Sequence, residues 1–276
     1  MAFIGNMLDS TGSSILQRSH GLARISIASG GVIDLAQSGS AKVMMPRMEA
    51  TCPEVVFLNT SGGMASGDRL EYQLDLRGGC RAVATTQTAE RAYRANDFAA
   101  QAQVRLTVGD GSWLDWLPQE TILFDGSRVD RVTRVDLGQG AGCMLLEMIV
   151  LGRRAMGEQV SRLHLSDRLE VWQAGRIIHH DALSLDDATL QSLQDPAMLN
   201  GATAMATLAV IAPHAPDLLA RARDVLDEPG ISAAASAPPE RLILRILAQD
   251  GWPLRRQLNR LLTALRPDPL PRIWQV

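Results

Sequence analysis

A single glutamate stands inside a long apolar segment of the chain. Residues 143–151 read Cys-Met-Leu-Leu-Glu-Met-Ile-Val-Leu, so Glu147 has apolar neighbours on both sides. The segment predicts a buried strand, and a carboxylate buried there without a partner is costly. Three explanations stay open: an ion pair with Arg153 or Arg154, a strand face that meets solvent, or a polar path through the protein.

Two further carboxylates would add to such a path. Glu120 lies in Leu-Pro-Gln-Glu-Thr-Ile (117–122), and Glu158 ends the segment Gly-Arg-Arg-Ala-Met-Gly-Glu (152–158). Their spacing along the chain does not by itself bring them together.

The segment 59–68, Asn-Thr-Ser-Gly-Gly-Met-Ala-Ser-Gly-Asp, is rich enough in glycine to suggest an anion-binding loop. A phosphate loop requires Gly-x4-Gly-Lys-Ser/Thr leading into a helix. Here Gly67 is followed by Asp68, Arg69 and a strand pattern, and the spacing of a dinucleotide fingerprint is also absent. We therefore predict a loop between two strands that ends in a carboxylate.

Other site motifs are missing from the sequence. There is no Cys-x2-Cys, no His-Glu-x2-His and no Gly-x-Ser-x-Gly, and the five histidines are scattered. His179 and His180 are adjacent, but neighbouring side chains of a strand face opposite ways. These absences disfavour a structural zinc site and a hydrolase triad.

Composition excludes several classes of protein. The 276 residues carry a net charge of −3 with 46% hydrophobic residues, which disfavours nucleic-acid binding. No apolar run approaches the roughly 20 residues of a membrane span, and the first 17 residues do not resemble a secretory signal. Three widely separated cysteines fit a reducing compartment, so we expect a cytoplasmic protein.

The periodicity of apolar residues predicts two kinds of structure. From about residue 22 to residue 185 it alternates, as in Tyr72/Leu74/Leu76, and glycine pairs such as Gly78-Gly79 separate the runs. This pattern predicts a mainly β region. After about residue 195, helical spacing predicts helices over 218–226, 242–247 and 254–265, with a flexible connection over 231–239.

We divide the chain accordingly into three parts. Residues 1–20 form an N-terminal extension, residues 20–200 a β domain, and residues 201–276 a helical part packed on the β domain. Residues 240–276 contain seven arginines and three acidic residues. These arginines indicate either a solvated helix face or a docking surface for an acidic partner.

Several of these segments together resemble the UreD family of urease accessory proteins, called UreH in some systems. The similarity rests on Phe-Leu-Asn-Thr-Ser-Gly-Gly-Met-Ala-Ser-Gly-Asp (57–68), Thr-Thr-Gln (85–87) with Tyr93-Arg94, Trp-Leu-Pro-Gln-Glu-Thr-Ile (116–122), Leu-Gly-Arg-Arg-Ala-Met-Gly-Glu (151–158) and Pro-Arg-Ile-Trp (271–274). These segments occur in the family's order from about residue 20 to the end.

The resemblance implies a fold, a function and partners. The fold would be mainly β, with stacked antiparallel or mixed sheets in a β-helix-like arrangement and α-helices in the C-terminal third. The function would be that of a non-catalytic chaperone that binds apo-urease with UreF and the GTPase UreG and helps insert nickel into the urease active site. No tightly bound cofactor is expected, only nickel in transit.

Family members also look like conduits for nickel, and carboxylates suit that task. Clustered thiolates or imidazoles would retain a nickel ion, whereas spaced carboxylates bind it weakly enough to release it. The candidates for a transient nickel path are Asp68, Glu120, Glu147 and Glu158.

Two other functions remain open from the residues alone. One is a metal- or carbohydrate-processing enzyme that uses paired carboxylates on a β scaffold. The other is a scaffold that bridges partners without carrying metal.

Overall fold

The computed structural model of the chain describes residues 18–46 and 52–275. In chain order the strands are β1 (His20–Ala28), β2 (Gly31–Gly39), β3 (Ala41–Met44), β4 (Glu54–Asn59), β5 (Arg69–Leu76), β6 (Arg81–Thr86), β7 (Glu90–Ala92), β8 (Ala100–Val108), β9 (Trp113–Trp116), β10 (Thr121–Leu123), β11 (Ser127–Leu137), β12 (Gly142–Leu151), β13 (Leu163–Gln173), β14 (Arg176–Leu185), β15 (Ala204–Ile211), β16 (Ile231–Ser236) and β17 (Arg241–Ala248). The helices are α1 (Asp187–Gln191), α2 (Leu219–Arg223) and α3 (Gly251–Leu265), with short 3-10 helices at Arg154–Met156, Ala215–Leu218 and Arg272–Trp274.

These strands form two sheets. The first has the order β14-β13-β11-β8-β5-β1-β2 and is parallel from β1 to β13, with antiparallel hairpins at both edges. The second has the order β16-β17-β15-β12-β9-β6-β4-β3, and the short strands β7 and β10 attach beside β12.

The chain winds between the two sheets in successive coils. From β4 to β13, longer strands of the second and first sheets alternate along the sequence, so each coil adds to both sheets. Glycines make the narrow turns: Gly78 and Gly79, between β5 and β6, both have positive φ, which costs glycine little. The result is a solenoid-like stack of two sheets.

The apolar core fills the space between the sheets. Strand β8 shows the period clearly, because its residues alternate strictly between buried and exposed. The buried members are Ala100, Ala102, Val104, Leu106 and Val108.

A second core lies on the other side of the second sheet, where α3 packs. Leu254, Leu258 and Leu261 of α3 are fully buried in a cluster that includes Leu208 and Leu244 of the sheet. The helix begins after Asp250, whose carboxylate accepts a hydrogen bond from the amide of Trp252. Nowhere in the described ranges is a helix both long and apolar enough to cross a membrane.

The predicted fold class is confirmed: the chain is mainly β, with stacked sheets and with helices α2 and α3 in its C-terminal third. The helix predicted over 254–265 corresponds to α3, and the helix predicted over 218–226 is reduced to a 3-10 turn and the short α2.

Two local predictions in the C-terminal third are wrong. The helix predicted over 242–247 is strand β17, and the connection predicted over 231–239 contains strand β16. In β17 the fully buried residues Leu242, Leu244 and Ile246 alternate, whereas Ile243 and Leu247 pack against the inter-sheet core. A strand covered on both faces is apolar almost throughout, so its sequence also fits a helical period.

The division into an extension, a β domain and a C-terminal part stays a prediction. Most of the extension, residues 1–17, lies outside the described residues, and β1 begins at His20. Strands β15, β16 and β17, which follow residue 200, continue the second sheet from β12.

Candidate functional site

Two cavities lie between the sheets. The larger cavity, about 250 Å³, has walls from β12, β13, β14, β15 and β17. The smaller cavity, about 50 Å³, is surrounded by residues of β5 to β12 and the loops between them. Glu147 borders both cavities, so this residue lies where they adjoin.

The position of Glu147 follows from the alternation of β12. Leu145 and Ile149, two residues to either side, belong to the inter-sheet core, whereas Leu146 and Met148 pack in the core under α3. Glu147 therefore points between the sheets. The predicted buried strand is confirmed, because β12 covers Gly142–Leu151.

Glu147 is paired with an arginine of the opposite sheet. Its Oε2 lies 2.5 Å from Nη2 of Arg131 on β11, and its Oε1 accepts a hydrogen bond of 3.1 Å from the hydroxyl of Thr133. The pairing proposed with Arg153 or Arg154 is wrong. Arg153 pairs with Glu158, and Arg154 donates to the backbone oxygen of Gln249.

Arg131 is shared between two carboxylates. It occupies the register position opposite Asp167 of β13, and its Nε and Nη2 donate to the two oxygens of Asp167 at 2.9 and 2.6 Å. Its remaining nitrogen, Nη1, donates to Thr121 at 3.0 Å. Burial alone would lower the pKa of Arg131, but Asp167 and Glu147 raise it above its ordinary value.

Burial has the opposite effect on Glu147. It raises the pKa of this carboxyl, and the negative charge of Asp167 adds to the rise, whereas Arg131 and Thr133 oppose it. Glu147 thus holds a proton more readily than an exposed glutamate does.

The larger cavity contains a second ion pair. Asp181 of β14 accepts hydrogen bonds of 2.5 and 2.7 Å from the two terminal nitrogens of Arg245 on β17. Burial by itself would raise the pKa of Asp181, but the hydrogen bonds and charge of Arg245 lower it. Asp167 and Glu147 border the same cavity, so three carboxylates face it.

The smaller cavity contains another carboxylate, the half-buried Glu90, at the start of β7. Its Oε1 accepts a hydrogen bond of 3.1 Å from the side-chain amide of Asn59. Burial raises the pKa of Glu90 to about 7, and the nearby charge of Asp68 contributes to the rise. Glu90 and Glu147 both face this cavity.

Asp68 and Glu158 line neither cavity and instead accept hydrogen bonds from loop residues. Asp68 accepts hydrogen bonds from the backbone amides of Ser19 and Ala65, at 2.7 and 2.8 Å. Glu158 accepts from the amide of Asp125 and from Arg153, and these hydrogen bonds, with that of the Arg153 side chain foremost, lower its pKa.

Glu120 lies on the other side of the second sheet. Its Oε2 is 3.7 Å from Nη1 of Arg255, a residue of α3. The next residue, Thr121, borders the smaller cavity instead. Of the four candidates, Glu147 is the one that borders the cavities, and a metal-binding role for all four stays a prediction.

Sequence reasoning missed Glu90, Arg131, Asp167 and Asp181. One signal for Asp167 was present, because it stands between Leu165 and Leu169 at the apolar positions of an alternating strand. The same test of strand position that singles out Glu147 would have found it. Glu90 follows a short polar loop in the sequence and gives no such signal.

The donor set suits weak cation binding. No group of three His, Cys, Asp or Glu side chains is arranged to hold a metal ion in the ranges 18–46 and 52–275. Cys52, Cys80 and Cys143 are free thiols, and burial raises the pKa of Cys52 to about 11. The cavities instead present separated carboxylates, which are hard ligands.

Comparison with known proteins identifies the family. The family model described as UreD urease accessory protein matches residues 22–275. This chain belongs to the UreD family. The resemblance inferred from the sequence motifs is thereby confirmed.

Similar UreD proteins match almost the whole chain. The chain is 65% identical over 272 residues to the urease accessory protein UreD of Paracoccus denitrificans (strain Pd 1222), with 99% of this chain and 98% of that protein covered. It is 54% identical over 264 residues to the UreD of Cereibacter sphaeroides (strain ATCC 17025), covering 94% and 96%. The UreD of Dinoroseobacter shibae is 46% identical over 267 residues, covering 95% and 94%.

Proposed function

We propose that this UreD family member is a non-catalytic chaperone of urease maturation in the cytoplasm. It binds apo-urease together with UreF and the GTPase UreG, and nickel passes between its two sheets toward the urease active site. The relatives' name, urease accessory protein, supports the urease part of this proposal. The proposed passage rests on Glu147, a nearly buried carboxylate that borders both inter-sheet cavities.

The chemistry of the cavities supports transfer rather than storage. Asp167, Asp181 and Glu147 face the larger cavity, and Glu90 faces the smaller one. Each is partnered by an arginine or an amide of the chain, so a passing cation competes with these partners and is released again. A site built of thiolates would hold nickel too tightly for delivery.

Replacement of Glu147 by Gln tests the passage. The change keeps the shape of the side chain and removes its charge. We expect urease co-expressed with Glu147→Gln and all accessory partners to contain less than about half the nickel of the wild type, because a cation loses its ligand between the cavities. Bound nickel and urease activity are the measurements.

A matched control separates the passage from a general loss of charge. Glu71, on the outer face of the first sheet, pairs with Arg105 and borders neither of the two inter-sheet cavities. Glu71→Gln should leave the nickel content at the wild-type level. Full nickel content with Glu147→Gln would remove Glu147 from the passage.

Nothing in the described part of the chain favours the alternative of a carboxylate-based enzyme. A glycosidase needs two carboxylates across an open cleft, whereas Glu147 and Asp167 are bound to one arginine. We expect the isolated chain to hydrolyse neither GTP nor glycosides above a buffer blank. Turnover that disappears on replacing Asp68 or Glu120 would contradict the chaperone proposal.

A further inference from the structure

We propose that Arg131 closes the passage between the two cavities, because its guanidinium occupies the carboxylate oxygens that a cation would use. This inference rests on the proposed function, since it concerns how the same passage opens. A divalent cation would cross from one cavity to the other only when the guanidinium is displaced.

One nitrogen of Arg131 contacts both carboxylates. Nη2 of Arg131 lies 2.5 Å from Oε2 of Glu147 and 2.6 Å from Oδ2 of Asp167. These two oxygens are therefore no more than about 5 Å apart, since both lie within 2.6 Å of the same nitrogen. A transition-metal cation that bridges two carboxylates needs oxygens within about 4.4 Å of each other, a separation that small side-chain movements would reach.

The position of the three side chains places this contact at the boundary of the cavities. Asp167 borders the larger cavity, Arg131 borders the smaller one, and Glu147 borders both. All three side chains are nearly buried, with exposed fractions of 11% for Arg131, 12% for Glu147 and 8% for Asp167. Water therefore screens their charges poorly.

The fixed charge of arginine explains why this contact closes the passage. A guanidinium keeps its positive charge at any physiological pH, so it repels an approaching cation as long as it stays in place. Its single positive charge also offsets one of the two carboxylate charges that would otherwise attract the cation. The hydrogen bond from Nη1 to Thr121 and the two bonds to Asp167 fix its orientation.

Removal of the guanidinium should turn the closed contact into a cation site. In the purified full chain, we expect Arg131→Gln to bind one nickel ion at least about tenfold more tightly than the wild type, measured by calorimetric titration with nickel chloride. The added affinity should disappear in the double variant Arg131→Gln/Glu147→Gln. Arg131→Lys retains a positive charge and should behave like the wild type.

Arg134 provides the matched control on the same strand. It pairs with Asp136 on the exposed outer face of β11, and its side chain is 45% exposed. Arg134→Gln removes the same charge without opening the passage, so it should not change nickel binding. Equal gains from Arg134→Gln and Arg131→Gln would overturn the proposal, as would Glu147-dependent nickel binding of equal affinity in the wild type.

A second variant covers the case in which two unpaired carboxylates prevent folding. Arg131→Gln/Asp167→Asn removes one positive and one negative charge and leaves Glu147 in place. With the accessory partners present, it should load urease with nickel at least as fast as the wild type. Slower loading by a folded double variant would overturn the closure by Arg131, because the passage would then work less well without the guanidinium.

The outcomes separate this inference from the proposed function. If nickel takes another route, Arg131→Gln still gains nickel affinity, but neither it nor Glu147→Gln alters the nickel content of urease. If the passage exists without this closure, Glu147→Gln lowers the nickel content whereas Arg131→Gln gains no affinity.

Discussion

Glu147 and Asp167 share one arginine but contribute differently to folding. Asp167 forms a bidentate pair with Arg131 across neighbouring strands, whereas Glu147 reaches the same guanidinium from the opposite sheet by one contact. Burial also raises the pKa of Glu147, which makes this carboxyl easier to neutralise than an exposed glutamate. Glu147 can therefore matter for the proposed passage of nickel and still contribute little to the stability of the fold.

The two carboxylates should respond differently to neutral substitutions. Asp167→Asn leaves Arg131 without its bidentate partner and should lower the free energy of unfolding by about 3–5 kcal/mol. Glu147→Gln leaves that pair intact and should cost no more than about 1 kcal/mol. Urea unfolding of both variants measures the difference, and equal losses would show that Glu147 is the main partner of Arg131.

Glu90 should make stability depend on pH. The folded chain raises its pKa from 4.5 to about 7, so the folded state binds this proton more tightly than the unfolded state. Its contribution to stability is complete below about pH 4.5 and is lost as the pH rises to about 7. Glu90→Gln stays uncharged and lacks this dependence.

Urea unfolding at about pH 5 and about pH 8 tests the direction. Relative to Glu90→Gln, the wild type should lose roughly 2 kcal/mol of unfolding free energy between the two values. A relative gain on going to the higher pH would mean that the Glu90 carboxylate is stabilised in its charged form.

The ion pair of Glu147 shows what the sequence can predict about a single residue. Its apolar surroundings predict burial and demand a partner, and both are found. The partner itself is Arg131, which is distant in sequence and lies on the other sheet, rather than the adjacent arginines. Only the winding of the chain brings β11 and β12 face to face, so spacing along the sequence could not identify it.

The alternation of apolar and polar residues predicts a strand well where one face of that strand meets solvent. Strand β8 alternates strictly and could be predicted from its residues. Strand β17 lies between β15 and β16 and has inter-sheet core on one face and α3 on the other. With apolar residues on both faces, the period that distinguishes a strand from a helix is lost.

The arginines of residues 240–276 mostly bind their own chain. A carboxylate or a backbone oxygen elsewhere in the chain is contacted by each of Arg241, Arg245, Arg255, Arg256, Arg260 and Arg266. These contacts attach β17 and α3 to the rest of the molecule. The segment thus has a structural role that neither sequence interpretation of its charge included.

Arg266 makes the most buried of these contacts and should matter most for stability. Its Nε lies 2.8 Å from Oδ2 of Asp115 on β9, and both side chains are fully buried. Arg266→Met should lower the free energy of unfolding by about 3–5 kcal/mol, because Asp115 stays fully buried and loses this partner. Arg272→Met, at an exposed position, is the control and should change little.

A double variant distinguishes loss of the pair from loss of packing. Arg266→Met/Asp115→Leu removes both charges and should recover most of the lost stability, since an apolar pair can replace a buried ion pair. Chemical denaturation followed by circular dichroism measures both variants. No recovery would mean that the hydrogen bonds from Arg266 to the backbone of residues 268 and 269, or the bond from Trp113 to Asp115, dominate.

The stacking of the two sheets explains why the cavities lie where they do. Each coil of the chain contributes one strand to each sheet, so a polar side chain pointing inward enters a space shared by both sheets. Glu147 from the second sheet and Asp167 from the first meet there through Arg131. No single element could form this arrangement, and it depends on the two sheets staying stacked.

A passage between stacked sheets requires open space as well as charge, and the two requirements can be separated. Leu183 of β14 borders the larger cavity, whereas Ser184, the next residue, is exposed on the outer face. Leu183→Trp should fill part of the roughly 250 Å³ cavity and leave every carboxylate unchanged. We expect it to lower the nickel content of co-expressed urease by at least about half, with a stability cost of at most about 3 kcal/mol.

Ser184→Trp introduces the same side chain on the opposite face of β14 and should leave the nickel content at the wild-type level. Thermal melting and co-purification with the accessory partners confirm that both variants are folded and assembled. If Leu183→Trp assembles and still loads urease fully, nickel does not travel through the part of the larger cavity that the indole occupies. The route would then have to avoid the wall formed by β14, because a cation cannot pass through space that a side chain fills.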